Sequence, residues 1–377
     1  MKIVQLKKNK GENWQYLSKN QSVNKPLVLV FGNRYMLEDA NIYNEVKDLF
    51  PTGEIVFGST SADIIADEVN DESITITAIE FEKSSYKIET SNLLESKKSS
   101  FETGRDLIDK FSKDNLKYIL VISEGSYVNG SQLTKGMTAN IHQDVLITGG
   151  LCGDAARFEK TVASYNENPK EGEVIAVAFY GESFEASVSI RGGWTPFGPE
   201  RIVTKSESNV LFELDNQPAL DLYKKYLGDK SKELPAAALL YPLNVISKEE
   251  KQPFVRTILN INEDKNTMIL AGDIPEGSKV QLMMTNVDHI VSASEAAAIQ
   301  ALETRKNKPE LALLVSCIGR KLVLDQRVEE EVEEVIEIVG EDTAVCGFYS
   351  YGEIAPFYSE NKCQLHNQTM TITLISE

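Results

Sequence analysis

Glu353 stands in the stretch GFYSYGEIAPF, residues 347–357, where one carboxylate is set among two glycines, Tyr349, Tyr351 and a proline. Bare backbone, a single acid and amphipathic aromatic walls are the parts of a pocket for a small polar ligand. Arg320, in LVSCIGRKL, is the matching cation, because a planar guanidinium grips both oxygens of a carboxylate at once. Arg320 and Glu353 would then hold the two ends of a zwitterion; the competing reading is a salt bridge joining two loops. Tyr349 and Tyr351 point to opposite sides of an extended chain, so at most one faces a cleft. His366 and Asn367, in LHNQTMTITL, add a base and an amide, whereas His142 and His289 read as surface or packing residues. Cys317 with His366 would make a nucleophile and base, but no carboxylate is spaced to orient the histidine. Cys317, Cys346, Cys363 and His366 lie on separate elements, which speaks against a zinc site.

Three repeated βαβ units must position these groups. LVLVFGN and EIVFGSTSADI flank a helical segment, as do ILVISEG and VLITGGLCGDAARF, and then LALLVSCIGR and AVCGFYSYGEIAPF. Each pair carries glycines at the expected strand exits (Gly32 and Gly58, Gly125 and Gly150, Gly319 and Gly347), where α/β sheets collect their ligand sites. Ser59, after Gly58, and Asp154 with Arg157, after GGLCG, are the N-terminal contributions to a shared cleft. Asp154 and Arg157 have a second reading as a cap and brace of their turn. No phosphate-loop lysine or dinucleotide fingerprint accompanies them.

The remaining pattern fits a two-domain α/β protein with mixed parallel and antiparallel sheets and an antiparallel insertion in the C-terminal half. In DQRVEEEVEEVIEIVG, Val328, Val332, Val335, Ile336 and Val339 form one helical apolar stripe, and the glutamates read as its solvated face. Asp215 or Asn216 is a candidate cap, with Pro218 in the first turn, for a helix ending at Gly228 that opens the second domain. Strands on both sides of Glu263–Asn266 form the insertion, and an alanine-rich helix over 287–306 follows it. RGGWTPFGPE reads as a rigid loop whose Trp194 and Phe197 lid a cleft or pack outside it.

The chain has 377 residues, with 39 Lys and Arg against 57 Asp and Glu, a net charge of −18. That field repels phosphate backbones and anionic membranes, excluding a nucleic-acid binder. The basic start lacks the apolar stretch of a signal peptide, no window approaches a membrane span, and four scattered cysteines fit reduced thiols; the expected location is cytoplasmic.

The runs LVSCIGRKLVL, VCGFYSYGEIAPF and CQLHNQTMTITL, in this order, resemble the C-terminal half of FIST proteins, and VFGSTSADI with ITGGLCGDAARF resembles the N-terminal half. The resemblance implies a FIST N-like domain over 26–214 and a FIST C-like domain over 215–377. It further implies a sensory module that binds amino acids or related metabolites and works with a histidine kinase, chemoreceptor or cyclic-dinucleotide enzyme. Haem binding, described for some members, is the implied alternative as a cofactor; none is otherwise expected. No output domain is legible in the chain, so the partner would be separate.

Overall fold

LVLVFG, LKYILVIS and LALLVSC are nearly unbroken apolar runs, the pattern of strands covered on both faces. In the computed structural model, which describes residues 1–18, 21–142, 144–248, 250, 252–357 and 362–377, all three runs are buried strands at the centres of separate sheets.

The chain builds the same unit three times. The first contains β1 (Lys2–Asn9), β2 (Leu27–Gly32), α1 (Ile42–Leu49), β3 (Glu54–Ser59), β4 (Asp63–Ile65) and β5 (Ser73–Glu80). The second contains β6 (Ser85–Asn92), α2 (Ser100–Asp109), β7 (Leu116–Ser123), α3 (Gly130–Thr138), β8 (Leu146–Leu151), β9 (Ala163–Tyr165) and β10 (Glu173–Tyr180). The third opens with β11 (Glu185–Arg191), is interrupted by an insertion, and resumes with a 17-residue helix.

The insertion is an antiparallel sheet containing β12 (Thr195–Glu207), β13 (Val210–Leu214), β14 (Leu243–Ile246), β15 (Phe254–Arg256), β16 (Ile258–Asn262), β17 (Thr267–Leu270) and β18 (Lys279–Met284). A helix, α4 (Ala219–Leu227), packs on it and gives it its own apolar core. Asp215 and Asn216 do not cap α4. Both adopt positive φ in the turn after β13, Pro218 occupies the cap position, and the Asp215 carboxylate instead accepts from Arg201 and the Ile202 amide. Because β13 pairs with β17, and β12 with β18, the sheet runs across the 214/215 boundary read from the sequence.

The third unit then continues through α5 (Val287–Glu303), β19 (Leu311–Cys317), α6 (Ile318–Leu324), α7 (Glu330–Val339), β20 (Ala344–Ser350), β21 (Gly352–Pro356), β22 (Cys363–His366) and β23 (Met370–Ser376).

In each unit the βαβ pair is parallel: β2 with β3, β7 with β8, β19 with β20. A later strand then returns antiparallel to the first of the pair: β5, β10 and β23. Between these steps each unit lends one strand to another. The first unit's β4 pairs with β20, the second unit's β9 with β3, and the third unit's β21 with β8. The exchange is cyclic, so none of the three sheets is complete without residues from a second unit. Alternate residues of all three sheets meet in one central core, including Phe31, Tyr118, Ile122, Val315 and Phe348. The opposite faces form separate cores against α1, against α2 and α3, and against α5 and α7. Among the described residues, no helix is long and apolar enough to cross a membrane.

The second parallel strand of the second and third units must bring its backbone very close to the first. A Cβ on Gly149 would lie 1.8 Å from the Val121 carbonyl oxygen, and one on Gly347 would lie 1.9 Å from that of Leu314. Their φ values are +145° and +159°, open to glycine alone. Gly149→Ala and Gly347→Ala are each expected to cost more than about 3 kcal/mol in chemical denaturation, against about 1 kcal/mol for Gly277→Ala in an open turn. Equal costs at all three positions would count against the close strand approach.

Candidate ligand-binding site

The glycine-bearing segments expected to surround a shared hollow do converge, and they fill the point of convergence. The Ser61 amide donates to the Tyr349 carbonyl (2.8 Å), the Gly153 amide to the Ser59 carbonyl (2.9 Å), and the Tyr351 amide to the Leu151 carbonyl (3.1 Å). Each bond joins two units, and together they close a ring. Side chains pack tightly around it: a Cβ on Gly153 would meet Ser61 Oγ at 2.3 Å, and one on Gly150 would meet Val315 at 2.7 Å. Ser59 is buried with its hydroxyl accepting from the Val162 amide. Asp154, next to Gly153 in sequence, is also buried, accepting from Arg157 Nε (2.9 Å) and ion-paired with Arg34 (3.0 Å), which is the bracing role. Tyr351 faces this loop, donating to the Ala155 carbonyl and stacking on Phe158, while Tyr349 faces the opposite way.

Arg320 and Glu353 are not partners. Arg320 is fully buried and donates to Glu331 of α7 through Nε (3.0 Å) and Nη2 (2.6 Å), to Ser294 and the Ile290 carbonyl of α5, and to the Gly192 carbonyl (2.6 Å). Glu331 also accepts from Ser294, Ser316 and Tyr349. The glutamate row of α7 is thus not wholly solvated, since Glu331 is 0% exposed. A signal for this exists in the sequence: Glu331 lies four residues before Val335, on the same side of the helix as the apolar stripe.

Glu353 is equally buried and accepts from Ser350 Oγ (2.6 Å), the Thr369 amide (3.1 Å) and Thr369 Oγ1 (2.8 Å). Burial pushes its carboxyl up to about 7, against these hydrogen bonds and the Arg320 charge, which pull it down. Asp63 of β4 is its counterpart in the exchanged strands: Glu353 pairs with Gly150 and Asp63 with Phe348, each one residue past the close-approach glycine. Burial pushes Asp63 up to about 7 as well, opposed by its bond from Ser73.

An open cavity lies to one side of this packed centre, between the three-unit body and the insertion. It has a volume of about 440 Å³ and is walled by Trp194, Phe254, Phe357 and His366, with Arg191, Asn244, Gln252 and Thr369 as its polar groups. Of the residues singled out in the sequence, His366 lines it, and Glu353 sits directly behind Thr369. Asn367 ties the wall to the insertion by accepting from the Thr257 amide (3.3 Å). His366 donates from Nε2 to the Ala355 carbonyl (3.0 Å), and burial pulls its pKa down to about 4, so it is neutral. Cys317 is buried, its thiol raised well above the usual range first by burial and then by Glu353, and shares no hydrogen bond with His366. Among the described residues, no three metal-ligating side chains cluster. Arg191, Asn244 and Gln252 carry no local pattern that marks them; His366 and Trp194 are the lining residues legible in the sequence, and the stretch read there as a rigid loop around Trp194 is the start of β12 from Thr195 on.

The acid pair sets a pH dependence of defined sign. Glu353 binds its proton more tightly folded than unfolded, so its contribution is fully present below about pH 4.5 and is lost as pH rises through about 7. Glu353→Gln is expected to gain about 3 kcal/mol on the wild type between about pH 5 and about pH 8 in urea denaturation; parallel pH profiles would contradict it. Arg320→Ala and Glu331→Ala should each cost about 3–5 kcal/mol, with the double variant costing far less than their sum.

The sequence profile of the FIST N domain matches residues 26–217, and that of the FIST C domain matches residues 219–356. The chain is also 25% identical over 244 residues to "Uncharacterized protein MJ1623" of Methanocaldococcus jannaschii, in a match covering 55% of this chain and 44% of that relative. The two profiles together cover most of the three-unit body and the whole insertion, leaving out β1, β22 and β23, and this chain belongs to the FIST family of sensory domains in signal transduction.

Proposed function

We propose that the chain is a small-molecule-binding module of intracellular signal transduction, whose ligand is an amino acid or related polar metabolite and whose output is read by a separate signalling protein. A histidine kinase, a chemoreceptor and a cyclic-dinucleotide enzyme are the partner classes in view. The observation that carries this reading is the cavity's position between two separately cored bodies. A ligand there touches both, and so has different affinity for different relative placements of the two, which is the only way binding can bias a conformation.

A physical route out of the cavity supports the same reading. Gly192 lines the cavity and offers its carbonyl to Arg320, which is held by Glu331 on α7. Trp194, two residues on, donates from its indole to the Gln368 carbonyl (3.0 Å). A displaced cavity rim would therefore pull on a buried charge pair that anchors an outer helix, and such a pair has few intermediate positions to occupy.

Thermal-shift screening of the full chain against amino acids and polar metabolites is the direct test. A binder at about one hundred times its dissociation constant adds about 2.7 kcal/mol and raises the melting temperature by several degrees. That shift should disappear in Asn244→Ala, a cavity residue outside the Arg320 network. A stabilising compound whose effect survives Asn244→Ala and Trp194→Ala would place the ligand elsewhere.

A further inference from the structure

The charges around the cavity are unlike those of the rest of the chain. In a protein of net charge −18, the described residues lining this space include one arginine, Arg191, and no aspartate, glutamate or lysine. His366 adds no charge, since its pKa is pulled down to about 4. Arg191 ends β11 and is exposed; its guanidinium donates from Nη1 to the carbonyl of its own neighbour, Ile190, and among the described residues no carboxylate pairs with it. A second guanidinium, Arg256, lies behind the aromatic wall, 4.3 Å from the Phe254 ring centre, and adds positive potential from that side. Of the nearby acids, Glu353 is shut behind Thr369 with both oxygens engaged, and Glu250, two residues before Gln252, accepts from Gln364 and pairs with Lys362.

Resting on the reading of this cavity as the ligand site, and narrowing its ligand from an amino acid or related metabolite to the related metabolites alone, we propose that the ligand is recognised as a carboxylate anion with an aromatic or other planar apolar body, and that an α-ammonium group is not recognised. Arg191 takes the carboxylate through its free N–H groups, and Trp194, Phe254 and Phe357 enclose the body. A charged hydrogen-bonding pair of this kind discriminates strongly against neutral analogues. An ammonium group brought into the same space meets no described acid, and its desolvation is uncompensated. The structure thus favours simple organic acids over the amino acids that carry the same side group.

Trp194 is a built-in reporter, because the chain has two tryptophans and Trp14→Phe leaves only the one in the cavity wall. In that background, phenylacetate, L-phenylalanine and phenethylamine are titrated while following Trp194 emission. Phenylacetate is expected to bind at least tenfold more tightly than L-phenylalanine, phenethylamine not to bind, and Arg191→Gln to weaken phenylacetate at least tenfold without altering the melting temperature of the free protein. Equal or tighter binding of L-phenylalanine, binding of phenethylamine, or unchanged phenylacetate affinity in Arg191→Gln would overturn the proposal while leaving a ligand site in place. If none of the three binds, the carboxylate proposal falls. Phenylacetate binding that leaves hydrogen exchange in α7 and β12 unchanged would keep the ligand class and remove the sensory reading.

Discussion

Three backbone hydrogen bonds, from Ser61 to Tyr349, Gly153 to Ser59 and Tyr351 to Leu151, hold the molecule at the point where its units exchange strands. Each donor lies just past the end of a second parallel strand, where the chain leaves its own sheet for a neighbouring one. Because the exchange is cyclic, no single unit can satisfy its sheet edges alone, and an unpaired buried edge is costly. The closeness of the ring explains the small residues around it: Gly150 and Gly153 leave no room for a side chain. It also explains why acids at the exchange points, Glu353 and Asp63, are buried with hydroxyl partners.

The same closeness moves the open space off the centre. In open α/β sheets the strand ends border a crevice because neighbouring loops diverge; here the loops converge and seal it. The cavity is made instead by what one unit carries. The insertion follows β11 at Gly192 and Gly193, and its sheet supplies Asn244, Phe254 and Met283 against His366 and Thr369 of the body. One side of the seam is fastened by polar contacts: Arg256 donates to the Leu365 and Asp273 carbonyls, and Asp273 accepts from Asn129 and Gln132 at the start of α3. The other side is the cavity.

Local chemistry was legible in the sequence and long-range exchange was not. The three parallel pairs, the strands about Glu263–Asn266, the helix after 287 and the opposed directions of Tyr349 and Tyr351 follow from periodicity and turn residues. The glycines were read as strand exits, yet Gly347 sits within β20, where it serves strand contact and not ligand approach. Arg320 reads in the sequence as the grip for a ligand carboxylate or as a salt-bridge partner of Glu353; in the fold it is held by Glu331, which hides in an acidic run that a helix normally shows to water. The exchange of β4, β9 and β21 among units leaves no local trace, since each is a segment of three to five residues indistinguishable from an ordinary edge strand. The same holds for Arg191 and Asn244, which come together only through the folded insertion.

The two ends of the insertion are tied to each other. Thr285 Oγ1 donates to the Gly193 carbonyl (2.6 Å), and a Cβ on Gly193 would lie 2.5 Å from the His289 carbonyl oxygen. Chain thus enters and leaves through one narrow neck, while the frame below closes through its own strand pairing of β11 with β23. Such an arrangement makes the appended part a cassette: sequence drift there can change the lining of the space, and the strand exchange of the triple framework need not change.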